Sequence, residues 1–110
     1  MTNQETRAQI DEVLRLCRAI LSGEPDLISA CSRIDELRWE LDRDGRRDLY
    51  YPFVEFMSSL PLLPTLESRH LWHPSHLAAM EALAAAKADR ERARIQEACR
   101  ALLASYGHAA

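Results

Sequence analysis

The chain has 110 residues, 47% hydrophobic and 28% charged, with a formal net charge of −3; this allows one domain with one modest core and excludes a disordered chain. Three Gly and five Pro exclude collagen-like and low-complexity classes, and no apolar run approaches the ~18 residues of a membrane span. The 13 Arg and single Lys form no basic stripe, which argues against nucleic acid as a partner.

A first helix is predicted over residues 3–22, with Thr2 or Asn3 as its cap. Ile10, Val13, Leu14, Cys17, Ile20 and Leu21 recur at the spacing of one helical face. Gly23 follows the last periodic residue, where a left-handed glycine ends a helix cheaply. A second helix is predicted from Pro25 to about Asp42, burying Leu27, Ile28, Cys31, Ile34, Leu37 and Leu41. The short Gly23-Glu24 connection folds the two helices into an antiparallel hairpin, and Asp44-Gly45 reads as a turn.

Residues 48–64 hold four of the seven aromatics, Tyr50, Tyr51, Phe53 and Phe56. Pro52 disfavours helix at Tyr51 and suits the first turn of a short helix over 52–59. Pro61 and Pro64 then impose extended chain, so the segment is expected to lie across the hairpin as a Pro-rich aromatic lid. A short helical turn at 65–72 follows. Pro74 then opens a last helix reaching to about residue 106, with His73 at its cap. From Ala85 to Arg94 that helix is alanine and charge with few large apolar groups, so it is expected to bridge past the bundle edge or bend there. The architecture predicted is a single all-α domain over 1–110: an N-terminal helical hairpin, the lid and a long C-terminal helix.

Cys17, Cys31 and Cys99 are odd in number and lie on apolar stripes, which predicts buried free thiols. With a polar N-terminus that has no signal-peptide core, they point to a reduced, cytoplasmic protein. Arg and Ala have GC-rich codons, and their excess points to a GC-rich bacterial genome.

No motif of nucleophilic, phosphate-binding or metal-dependent catalysis is present, and no cofactor is expected. Three constellations remain. Asp35, Glu36, Trp39, Glu40 and Asp44 place carboxylates and an indole on the outer side of the second helix and its turn. Such a patch either pairs with the interleaved arginines or docks a basic partner, with Trp39 as anchor. Pro64, Arg69 and Trp72 form a structural lock for the lid, Arg69 lying three residues from the indole and in reach of its face. His70, His73 and His76 are spaced by three as metal ligands can be, but Pro74 breaks the geometry and no Cys, Asp or Glu completes the set.

The order of several segments resembles a family of small uncharacterised bacterial helical proteins, a domain of unknown function. The segments are Leu16-Cys17-Arg18-Ala19-Ile20-Leu21-Ser22-Gly23, Pro52-Phe53-Val54, Leu63-Pro64 followed by Glu67, Arg69 and Trp72, then Pro74 and Glu97-Ala98-Cys99-Arg100. The resemblance covers most of residues 10–106 and implies an all-helical fold and no activity. The chain departs from it at Met57-Ser58-Ser59-Leu60-Pro61, where the family has acidic and polar residues, and at His73, where a serine cap is usual.

Residues 1–60 hold 8 basic and 12 acidic side chains, −4 in all, and residues 61–110 hold 6 and 5, or +1. The function expected is a non-enzymatic protein-interaction module, most concretely an immunity-type inhibitor that binds a toxin or enzyme through its acidic face. The alternatives are a small-ligand or metal-binding domain built on the His70, His73 and His76 region, and a structural homodimer paired through the long helix.

Overall fold

A computed structural model describes residues 3–41, 45–61, 63, 65 and 67–107. They are all-α, as the periodicity predicts: α1 (Asn3–Leu21), α2 (Leu27–Leu41), α3 (Arg47–Ser59) and α4 (Pro74–Ser105), with a 3-10 turn at Arg69–Leu71. The helices pack in a ring. α1 lies on α2 and α4, α3 lies on α2 and α4, and α2 touches α4 only lightly across the diagonal. Pairs between helices fix the directions. Gln9 with Glu40 and Glu12 with Arg33 run α1 against α2. Ile20 with Gln96 and Glu24, just past α1, with Arg92 run α1 against α4, and Arg46 with Ser105 and Glu55 with Arg94 run α3 against α4. The result is an up-down-up-down four-helix bundle.

α1 stops where Gly23 takes a φ of 95°. Glu24 N–H donates to the Ala19 carbonyl at 3.0 Å and Gly23 N–H to Ile20 at 3.1 Å, the paired bonds of a Schellman cap. The chain then returns as α2, and Arg33 ties the hairpin. Its Nε and Nη2 reach Glu12 at 2.7 and 3.1 Å, and its Nη1 reaches Glu36 at 3.0 Å.

The aromatic segment forms more helix than its proline predicts. α3 begins at Arg47 and carries Pro52 inside it. An interior proline forgoes one backbone bond and costs ~3 kcal/mol. Tyr50, Phe53 and Phe56, spaced by three, are all buried, and each contributes roughly 1.5–3 kcal/mol. The anchors outweigh the proline, so the segment fills one corner of the bundle and extends beyond the short helix expected at 52–59. Tyr51, the residue a following proline strains, is exposed and has no packing to lose.

The core unites Val13, Leu14, Cys17 and Ile20 of α1, Leu27, Ala30, Cys31, Ile34, Leu37 and Leu41 of α2, the three aromatics of α3, and Ala88, Ile95, Ala98, Cys99, Leu102 and Leu103 of α4. All three cysteines are buried and free, as their stripes predict.

α4 is one continuous 32-residue helix, ~48 Å long at 1.5 Å per residue. Of the stretch from Ala85 to Arg94, expected to bridge past the bundle edge or bend there, Ala88 alone is buried and most of the rest is exposed; the helix runs through it without a break, with Ala84 and Ile95 buried at its two ends. The part that runs past the hairpin is the N-terminal third, since Gln96 already lies opposite the end of α1. This overhang accounts for the long axis of 46 Å and the radius of gyration of 15.2 Å, against about 13 Å for a compact domain of this size.

Candidate functional site

On α2, Trp39 is 69% exposed. The Arg38 guanidinium covers one face, 4.1 Å from the ring centroid, in the geometry of a cation–π contact. The carboxylates around it are engaged within the chain. Asp35 accepts from Arg38 Nε at 2.7 Å, Glu36 pairs with Arg33 at 3.0 Å, and Glu40 accepts from the Gln9 amide. Arg33 holds the Glu12 carboxyl below its ordinary range, chiefly through the hydrogen bond; burial opposes this, and the charges of Arg33 and Arg15 add smaller lowering effects. α2 therefore brings Asp35, Glu36, Trp39 and Glu40 to the surface, with the indole standing out and the charges largely balanced beside it. Asp44 lies outside the described residues.

At the overhanging end, Arg69 and Trp72 do not meet as their spacing predicts. Arg69 Nη2 pairs with Glu81 Oε1 at 2.8 Å, and Trp72 stacks on His76 with centroids 5.3 Å apart. The 3-10 turn ends at Leu71 and Trp72 is extended, so the two side chains diverge and each fastens the segment to α4 separately. Pro64 lies outside the described residues.

The three histidines are held to different tasks. His70 is exposed in the 3-10 turn, His73 caps α4 through Ser75, and His76 lies against Trp72. Among the described residues, no group of three His, Cys, Asp or Glu side chains is placed to hold a metal ion.

Between the first turn of α2, the alanine face of α4 and Leu63 lies a groove of about 450 Å³. Leu27, Ile28, Ala84, Ala85 and Ala88 give it an apolar floor, and Asp26, Arg69, Glu81, Asp89 and Arg92 stand round it. Arg69 is paired with Glu81, and Arg92 donates to the Glu24 carbonyl at 3.0 Å. The volume falls within the usual range of small-molecule sites, ~300–1,000 Å³. Sequence reasoning missed this groove. Its signal was present in Ala84 and Ala88, four apart on the side of α4 where a large residue would have filled the space.

The thiols sit where a nucleophile is disfavoured. Burial pushes the Cys31 thiol up to about 12, with the neighbouring Cys17 adding to it. Cys99 is also pushed up, first by its hydrogen bond to Cys17 and then by burial. Both stay protonated near neutrality, and the thiolate is the reactive form.

No family model, curated protein or solved structure matches the chain. Among the described residues, no helix is long and apolar enough to cross a membrane.

Proposed function

We propose that the chain is a non-enzymatic protein-interaction module that docks through the outer face of α2. One observation carries this: Trp39 presents 69% of its surface to solvent on a rigid helix, braced on one face by Arg38. Tryptophan beside arginine is the composition of an interface hot spot, and a held ring loses little freedom on binding. Asp35, Glu36 and Glu40 lie within four residues of the indole on α2, and Glu36 and its partner Arg33 are exposed to solvent. A partner offering a basic group takes Glu36 over at little cost.

An inhibitor that neutralises a toxin or enzyme is the most concrete form of such a module. Its support is small size and the −4 charge of residues 1–60. The test is capture from a lysate of the source cell by wild type and by the charge-reversed pair Glu36→Lys and Glu40→Lys. A basic protein held by wild type and lost by the variant supports the surface; identical capture by both sinks it.

The groove favours a second use, binding a small apolar molecule over Ala84 and Ala88. It moves the expected small-ligand site from the histidines to the α2–α4 junction. A rise in melting temperature with one member of an apolar ligand panel, abolished by Ala85→Phe, supports it. A panel with no shift removes it.

A further inference from the structure

Ala84, Ala88, Arg92 and Gln96 recur at every fourth residue along one side of α4. The last two meet the end of α1. The Gln96 amide donates to the Ile20 carbonyl at 3.4 Å, and Arg92 Nη1 donates to the Glu24 carbonyl at 3.0 Å. α1 ends at Leu21, so Ala88 and Ala84 lie past it. The corner of the ring that α1 fills beside Gln96 stays open there as the groove of about 450 Å³. From Glu81 to Arg92 its floor runs ~16 Å along α4. Arg92 stands half-buried at one end of that floor.

A guanidinium carries five N–H donors. Arg92 spends one on a neutral carbonyl, and among the described residues no carboxylate pairs with it. Charges drawn out of water are ordinarily paired, and the other arginine of the rim, Arg69, has Glu81 at 2.8 Å. The rim carboxylates leave Arg92 to a ligand. Glu81 is held by Arg69, Asp26 accepts from the Ser29 N–H at 3.1 Å across the first turn of α2, and Asp89 is exposed, where solvent screens it. We propose, resting on the small-molecule reading of the groove, that its ligand is an amphiphile with an extended apolar chain and a single carboxylate. The chain lies over Ala84 and Ala88, and the carboxylate meets Arg92. A planar carboxylate matches the guanidinium edge at two points. A dianionic phosphate fits less well, because Asp26 and Asp89 stand on the same rim.

The test is titration calorimetry at pH 7.5 with octanoate and with octanol, against wild type, Arg92→Gln and Ala85→Phe. Octanoate is ionised at this pH, and octanol offers the same chain without the charge. Wild type binds octanoate at least about tenfold more tightly than octanol, the fold-change carried by one hydrogen bond to a charged group. Arg92→Gln binds the two alike, at the wild-type affinity for octanol, and Ala85→Phe, which fills the groove, binds neither. Octanol held as tightly as octanoate by wild type, or octanoate held equally by wild type and Arg92→Gln, overturns the carboxylate and leaves the small-molecule use of the groove standing. Binding of neither ligand by wild type, or undiminished binding of both by Ala85→Phe, overturns the two together. The comparison of the two ligands in wild type decides the point even where Arg92→Gln does not fold.

Discussion

The hydroxyls of Tyr50 and Tyr106 lie 2.8 Å apart, joining the buried face of α3 to the end of α4. Arg46 reinforces the junction. Its guanidinium lies 3.9 Å over the Tyr106 ring, and its Nη2 donates to the Ser105 carbonyl at 3.1 Å. Tyr106→Phe keeps the ring and the cation above it and removes one hydrogen bond. The expected loss is about 1 kcal/mol, measured as a lower urea midpoint with an unchanged m-value.

Pro52 gives a test of opposite sign. It lies inside α3, where only the aromatic anchors hold the helix against it. Pro52→Ala restores the missing bond and is expected to stabilise the fold. The gain is about 2 kcal/mol, after allowing for the greater freedom of the unfolded chain. Phe53→Ala removes an anchor and costs about 3–5 kcal/mol. If Pro52→Ala destabilised the protein, the balance argued for α3 would be wrong.

Glu12 and Arg33 make stability depend on acid. The folded-state value of Glu12 is lowered by its bond to Arg33. Its contribution is present above the ordinary carboxylate range, about 4.3, and is lost as pH falls through the lowered value. Glu12→Gln is therefore less stable than wild type at pH 7. The two converge as pH falls below the ordinary carboxylate range, as chemical denaturation at a series of acid pH values will record. The partly exposed pair implies a small difference, which high salt reduces further.

The thiols test the core. Cys17, Cys31 and Cys99 are buried, and the Cys31 thiol is pushed up to about 12. A water-soluble thiol reagent at pH 7.5 is expected to leave the native protein unlabelled over minutes and to label three sites in denaturant. Rapid labelling of the native chain would contradict the packing.

Much of this architecture was legible. The stripe from Ile10 to Leu21 and Gly23 beyond it predicted α1 and its end, and Pro74 predicted the start of α4. Pro52 obscures α3, because the backbone preference of one residue masks the combined burial of Tyr50, Phe53 and Phe56. The alanines after Ala84 give a weak periodic signal because they are small, and Ala88 among them is buried where α4 borders the groove against α2. At the surface, exposure of Trp39 followed from its place off the Ile34, Leu37 and Leu41 stripe. That Asp35, Glu36 and Glu40 are each occupied depends on rotamers and on α1, which spacing along α2 does not reveal. The divergence of Arg69 and Trp72 likewise turned on the 3-10 turn ending one residue before the indole.

Docking through the face around Trp39 is the central claim, and a single truncation reads it most directly. With the protein captured by the wild-type chain as titrant, the Kd of Trp39→Ala is compared with that of wild type. Loss of a hot-spot side chain costs at least ~2 kcal/mol, so a rise of about thirtyfold in Kd is predicted, with unchanged thermal stability because the ring is solvent-exposed. A Kd within twofold of wild type would contradict the claim and move the interface off α2.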